Sequence, residues 1–344
     1  MKRIAVGLSG GIDSAVCAYL LKKQGYAVTG VFLRLVDFLP PFPPSEIARF
    51  LEIPYFVLDL RKPFKEKIIN YFISSYLKGE TPNPCVICNK LIKFGLLLEE
   101  IKKRGFDFLA TGHYARKIFQ NGRYLLLKGA DKQKEQSYFL CLLSQGQLRQ
   151  ILWPLGEFFK EKVKEISVSI GLPNQNVKES QEICFIPNND YRTFLAPYVP
   201  SYLKIPGQIV DTKGKVLGEH KGLWCYTIGQ RRGIGICAKE PYYVRRIDVE
   251  NNRLIVAPRR ELFFKEMIVA RVNFFPFERL GKKLEAMVKV RYKHEPAAAV
   301  IEPLEEDTVK VIFTTPQFGV TPGQIAAFYQ GEICLGGGII KSAQ

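Results

Sequence analysis

The stretch GLSGGIDS, residues 7–14, follows the apolar run Ile4–Val6 and precedes Ala15–Lys23, which has the periodicity of an amphipathic helix. It therefore reads as a strand, a tight turn and a helix start. Adjacent glycines, Gly10 and Gly11, let the backbone approach a ligand closely. Amides at a helix N-terminus carry partial positive charge and suit phosphate. Ser9 and Ser14 add hydroxyls, and Asp13 is a candidate to hold Mg²⁺ against phosphate oxygens. A plain turn with Ser9 or Asp13 as the helix cap would account for a hydroxyl or a carboxylate, but it needs no glycine pair. The spacing is neither the dinucleotide-binding fingerprint nor the Walker A loop. Gly7, Leu8, Ser9, Gly10, Gly11, Ile12, Asp13 and Ser14 are expected to form a nucleotide phosphate site.

Outward from this loop the first half of the chain alternates strand and helix. Strands are expected at Ile4–Leu8, Ala27–Leu33, Tyr55–Leu58 and Phe106–Ala110, with helices at Ile12–Lys23, Ser45–Glu52, Phe64–Leu77 and Cys88–Arg104. That alternation implies an α/β, doubly wound parallel sheet with its ligand at the carboxyl ends of the strands. Residues 144–169 read as helical and 170–180 as a linker. Beyond about residue 200 the pattern becomes β-rich: VDTKGKV and VENNRLIV are hairpin signals. From Ile268 onward, apolar runs broken by Gly and Pro suggest a small antiparallel barrel. The expected domains are 1–198, a nucleotide-binding unit; 199–264, a small central β domain; and 265–344, a C-terminal β-barrel.

The chain has 344 residues, 47% of them hydrophobic, enough for two or three cores. No apolar run approaches the roughly 20 residues of a membrane span. The N-terminus lacks a secretory cleavage region, so a cytoplasmic protein is expected. Net charge is +17, from 50 Lys plus Arg against 33 Asp plus Glu. Heat-adapted surfaces raise both signs together, and here the acidic side is not raised. A polyanion partner, nucleic acid, is the better account. Cysteines in a reducing compartment serve as thiols, metal ligands or catalysts rather than staples. Cys17 and Cys141 lie in apolar helical runs and read as core fillers. Cys225, Cys237 and Cys334 receive no role.

GETPNPCVICNKLIKFG, residues 79–95, places Cys85 and Cys88 just after two prolines and just before a helix expected to start near Asn89. A thiol at a helix N-terminus is expected to have a depressed pKa. A structural zinc site would need two more close ligands; there is no second C-x-x-C, and the chain has only three histidines. ESQEICFIP, residues 179–187, carries Cys184 in a short apolar run, which on its own reads as a core cysteine.

The glycine loop resembles the SGGxDS loop of PP-loop ATP pyrophosphatases, a family that cuts ATP between the α- and β-phosphates and places AMP on a carbonyl oxygen. ATGHYAR at 110–116, KEQSYFL at 134–140, YTIGQRRGIGI at 226–236, VRYKHEP at 290–296, VTPGQ at 320–324 and CLGGGII at 334–340 resemble tRNA-specific 2-thiouridylases. They run in the family's order and cover nearly the whole chain.

The resemblance implies that ATP, with Mg²⁺, adenylates the 2-carbonyl oxygen of a wobble uridine, and that sulfur then displaces AMP. The implied partners are the tRNA anticodon stem-loop and a sulfur-donor protein or free sulfide. By motif, Cys184 matches the persulfide carrier and Cys88 the resolving cysteine. Leu33 and Gly112 match the adenine and ribose site. Asn83, Pro84, Cys85, His113, Lys134, Glu135, Gln136, Arg291, Tyr292 and Gln324 match tRNA-contacting positions, and Arg231 and Arg232 suit phosphate backbone.

Cys85 stands where many members carry Asp. With Cys88 and Cys184 it completes three thiolates, the number that holds a four-iron four-sulfur cluster with one iron open. Persulfide relay and cluster chemistry therefore both remain open. The segment 34–50 is shorter than usual for the family, and SQ precedes EICF where small residues are commoner. Another PP-loop ligase would leave the three cysteines unexplained. A non-catalytic RNA-binding protein would leave the intact loop unexplained.

Overall fold

The computed structural model describes residues 1–177, 183–305 and 307–344. Strands β1 (Arg3–Gly7), β2 (Ala27–Arg34), β3 (Tyr55–Asp59), β4 (Phe108–Ala110) and β7 (Ile151–Leu152) form a parallel sheet in the order β3-β2-β1-β4-β7. Ile4, Ala5 and Val6 of β1 are fully buried, as a central parallel strand covered on both faces requires. Val6 pairs with Gly30 on one side and Ala110 on the other. The winding leaves β1 toward β2 and β3, then resumes on the other side at β4. A crevice is therefore expected beyond the carboxyl ends of β1 and β4, where the turns after Gly7 and Ala110 lie. Helix α1 (Ile12–Lys23) buries Ala15, Val16, Cys17 and Ala18 completely. Cys17 and Cys141 are core fillers, both fully buried.

Three local expectations are corrected. Residues 144–169 are not one helical segment: a short helix, Gln145–Arg149, gives way to β7, and α-helix resumes only at Lys160–Ser169. Pro154 lacks an amide donor, and a Cβ on Gly156 would sit 2.1 Å from the Ala115 carbonyl oxygen, so this stretch is pressed against the backbone at Ala115. The helix of the cysteine loop starts at Pro84 rather than near Asn89, with the Asn83 side chain accepting from the Val86 amide as its cap. Proline is well suited to a first helical position, where its missing donor costs nothing. Finally, residues 170–177 are not a free linker. Leu172 and Asn174 are buried at 2% and 1% exposure, and the rest of the expected linker, 178–180, lies outside the described residues.

The middle of the chain is a four-stranded sheet, β8 (Gly207–Val210), β9 (Val216–His220), β10 (Tyr242–Asp248) and β11 (Arg253–Pro258), in the order β10-β11-β8-β9. Both expected hairpins are present, β8–β9 and β10–β11, each antiparallel. Strands β12 (Phe263–Phe274), β13 (Leu284–Lys289), β14 (Ala297–Glu305), β15 (Thr308–Phe318), β16 (Ile325–Gln330) and β17 (Ile333–Ala343) follow. They run β12-β15-β14-β13-β16-β17, and β17 pairs back onto β12 to close an antiparallel barrel.

The hairpin β5 (Ala115–Gln120) and β6 (Arg123–Lys128) arises within the nucleotide-binding half but pairs with β17, through Leu127 with Ile333 and Leu126 with Cys334. The two ends of the chain share one core as well. Phe94, Leu97 and Tyr138 cluster with Phe275, Ile325, Ala327 and Tyr329.

Candidate active site

The loop after β1 is shaped by its two glycines. Gly10 has φ +88°, and a Cβ there would meet the Phe42 carbonyl oxygen at 2.3 Å. Gly11 occupies the N-cap of α1, and no side chain caps the helix. Ser14 Oγ instead donates to the Gly11 carbonyl at 2.9 Å and accepts from the Ser9 amide at 3.2 Å. The hydroxyls brace the turn and leave the first helical amides to a ligand, which suits an anion. The second wall comes from the turn after β4. A Cβ on Gly112 would lie 2.8 Å from the Asp13 backbone carbon and 2.9 Å from the Ser14 amide nitrogen, so only glycine permits this approach. Leu33, at the end of β2, is partly buried against two neighbouring clusters.

Three side chains at this loop escaped the sequence reading. The Lys160 ammonium lies 2.6 Å from Asp13 Oδ1, and the Tyr114 hydroxyl donates to the same oxygen at 2.7 Å. Asn174 Nδ2 donates to the Gly10 carbonyl at 2.9 Å, while its Oδ1 is buried without a hydrogen-bond partner. Lys160 and Asn174 stand 147 and 164 residues from their partners, and no spacing rule connects them. The one available signal was Tyr114, inside ATGHYAR.

The second centre gathers the cysteines. Cys85 and Cys88 sit on the first helical turn, and Cys184 comes from a segment far along the chain. Charge on Cys184 raises both Cys85 and Cys88, and charge on Lys93 lowers all three, so the four groups lie within electrostatic reach of one another. The expected depressed thiol is not found. Burial pushes Cys85 up to about 11 and Cys88 up to about 12, outweighing Lys93 and the helix end. Cys184 is open to solvent on one side, unlike a core cysteine, yet crowding by protein still raises it, with Lys93 opposing.

Lys93 reaches this face from a wide turn. Residues Asn89–Leu96 are π-helical and follow directly on the helix that carries Cys85 and Cys88. Among the described residues, no three His, Cys, Asp or Glu side chains are gathered closely enough to hold a metal ion.

The residues expected to touch nucleic acid come from all three parts of the chain. His113 accepts or donates through Nδ1 to Thr111 Oγ1 at 2.8 Å and packs 5.5 Å from the Phe94 ring. Burial, then the Lys93 charge, lowers it to about 3, so its ring is neutral at physiological pH. Gln324, from the barrel, donates to the carbonyls of Thr81 at 2.8 Å and Pro82 at 3.3 Å, directly before Asn83 and Pro84. Tyr292 lies 4.5 Å from the Phe139 ring and 6.0 Å from that of Tyr138. Lys289 stands over the Tyr292 ring at 5.3 Å. Arg291 is half-buried on the same strand-end loop.

Gln136 accepts from the Tyr114 amide at 3.0 Å, Glu135 accepts from the Ser137 amide at 3.0 Å, and Lys134 is half-buried beside them. The turn 134–136 is thus braced against the segment between β4 and β5 that carries His113 and Tyr114. Arg231 and Arg232 are exposed on the central domain, where Arg231 lines a recess of about 390 Å³.

Three family descriptions match in succession: a tRNA methyl transferase HUP domain over residues 2–39 and 43–188, a tRNA methyl transferase PRC-barrel domain over 192–258, and an aminomethyltransferase β-barrel domain over 264–340. The chain is 45% identical to tRNA-specific 2-thiouridylase MnmA 2 of Thermoanaerobacter sp. strain X514, over 98% of each chain. It is 42% identical to tRNA-specific 2-thiouridylase MnmA of Clostridium acetobutylicum, over 99% of each. It is also 42% identical to the protein of that name from Carboxydothermus hydrogenoformans, over 99% of this chain and 98% of the other.

Proposed function

Because the chain belongs to the tRNA-specific 2-thiouridylase family, we propose that it converts a uridine in the tRNA anticodon loop to 2-thiouridine at the expense of ATP. ATP occupies Gly7–Ser14 with its phosphates on the free amides of α1, and Leu33 and Gly112 flank the nucleoside. Asp13 has one carboxylate oxygen engaged by Lys160 and Tyr114; the other is the group that would hold a Mg²⁺ bound with the nucleotide, which would supply charge neutralisation at the phosphates. The uridine 2-carbonyl oxygen attacks the α-phosphorus, and the bond to pyrophosphate breaks. A poor leaving group becomes AMP.

Sulfur is delivered from a Cys184 persulfide, charged by a donor that carries persulfide sulfur. The terminal sulfur attacks C2, the C2–O bond breaks and AMP leaves. The Cys88 thiolate then attacks the Cys184 sulfur. The S–S bond breaks with its electron pair on the sulfur now held by C2, giving the thiocarbonyl and a Cys88–Cys184 disulfide, which an external dithiol reduces. Cys85, Cys88 and Cys184 are the right donors for an open-site cluster, but they are not assembled at ligand spacing, so no step is routed through one. His113, Asn83, Pro84, the turn 134–136, Arg291, Tyr292 and Gln324 form the cradle for an unstacked anticodon base. tRNA as substrate places the work in the cytoplasm.

The observation that carries this reading is that Cys184, from a distant segment, lies within electrostatic reach of Cys85 and Cys88, with Lys93 acting on all three. The test is pyrophosphate release and nucleoside mass spectrometry with tRNA, ATP and a persulfide donor. Cys184→Ser should release pyrophosphate and make no 2-thiouridine. Full thiolation by that variant refutes the assignment.

A further inference from the structure

We propose that Lys160 is a working residue of the nucleotide site, holding the Asp13 carboxylate while the loop is empty and facing the nucleotide's phosphates once it is filled. This deepens the ATP reading of the loop and rests on it. The Lys160 side chain is 3% exposed and its ammonium is 2.6 Å from Asp13 Oδ1, whereas the Asp13 side chain is 28% exposed. The pair thus bridges the interior and the open mouth of the loop.

A buried lysine loses its hydration, and a purely structural pair rarely recovers more than apolar packing would supply. Its position suggests why it is kept. Lys160 opens helix Lys160–Ser169, and its amide donates to Asp131 Oδ2 at 3.0 Å. Asp131 is itself buried and accepts from the Gln133 amide at 2.9 Å. The backbone is therefore pinned while the side chain spans from that helix to the phosphate loop. Tyr114 shares the same Asp13 oxygen, and the Lys160 ammonium lies 5.8 Å from the Tyr114 ring. Three elements converge on one oxygen beside uncapped helix amides. A triphosphate arriving there brings several negative charges to a pair whose own net charge is zero. The fixed ammonium is the group placed to answer them.

The test uses the full-length protein with ATP and Mg²⁺ in calorimetry without tRNA. Lys160→Gln can still donate a hydrogen bond to Asp13 but carries no charge. Its ATP affinity should fall at least about tenfold, the scale of a lost charged hydrogen bond, with tRNA retention and the melting temperature close to wild type. ATP affinity within twofold of wild type overturns the proposal. If Lys160→Gln is too unstable to titrate, Asp13→Asn is compared with Asp13→Asn/Lys160→Gln, which restores a neutral hydrogen-bonded pair. Equal ATP affinity in those two also overturns it, and a further loss in the double variant supports it. Because tRNA is absent, wild type that binds ATP yet makes no 2-thiouridine would refute the proposed function and leave this test standing.

Discussion

At the scale of single residues the site is governed by burial. His113 is neutral because desolvation lowers it from 6.5 to about 3. The unfolded chain therefore takes up this proton first on acidification. The stability contributed by the neutral ring is fully present above pH 6.5 and is lost as pH falls toward 3. Melting temperatures measured between pH 7 and pH 4 should fall less steeply for His113→Asn than for wild type. Parallel curves would show that His113 titrates normally. The thiols lean the other way: burial favours their protonated forms, and the Lys93 charge opposes it.

Cys85 is the instructive case. In persulfide relay Cys85→Ser should keep most thiolation, whereas Cys88→Ser should lose it. Equal loss in both variants, with iron falling together in anaerobically prepared protein, would restore cluster chemistry.

At the scale of elements, the glycine loop after β1 is shaped by two backbone approaches that exclude side chains. Gly10 lies at φ +88° with the Phe42 carbonyl in the space of a Cβ. Gly10→Ala adds about 1–3 kcal/mol of backbone strain and a clash with a carbonyl that side-chain motion cannot relieve. ATP binding by calorimetry should weaken more than the melting temperature falls, since the strain is local to the loop. Unchanged ATP affinity would mean that the loop does not hold phosphate in this conformation. The cysteine helix illustrates a second element-scale device. Its π-helical stretch, Asn89–Leu96, carries Lys93, whose charge lowers all three thiols.

At the scale of the whole molecule, the two ends of the chain depend on each other. The β5–β6 hairpin extends the barrel through β17, the Tyr138 hydroxyl donates to the Ile325 carbonyl at 3.0 Å, and Asn273 donates to the carbonyls of Cys141 and Leu143. A fragment ending at residue 264 would expose Phe94, Leu97, Tyr138 and the β6 edge, an aggregation-prone surface. The fragment should therefore be insoluble or unfolded by circular dichroism. A monomeric fragment that still binds ATP would show the shared core to be dispensable. The net charge of +17 acts at this scale too. tRNA affinity should fall with salt, each neutralised phosphate adding about −0.7 to −0.9 to the log–log slope. A flat titration in KCl would reject a charge-driven complex.

The sequence by itself determined the glycine turn between β1 and α1, the alternating first half, the two hairpins and the barrel, because each is written in neighbouring residues: a glycine pair, a period, a turn. It also determined the family, since motifs survive as short strings in fixed order. It could not show that Lys160 and Asn174 hold the loop, since hydrogen bonds across 147 and 164 residues leave no local trace. It misjudged the thiols for a related reason. A helix end lowers a pKa locally, but burial raises it through every atom packed around the group, and that packing exists only in the fold. The meeting of Cys184 with Cys88 is likewise tertiary. Sequence named both residues, and only the folding of distant segments onto one helix face placed them under a common lysine.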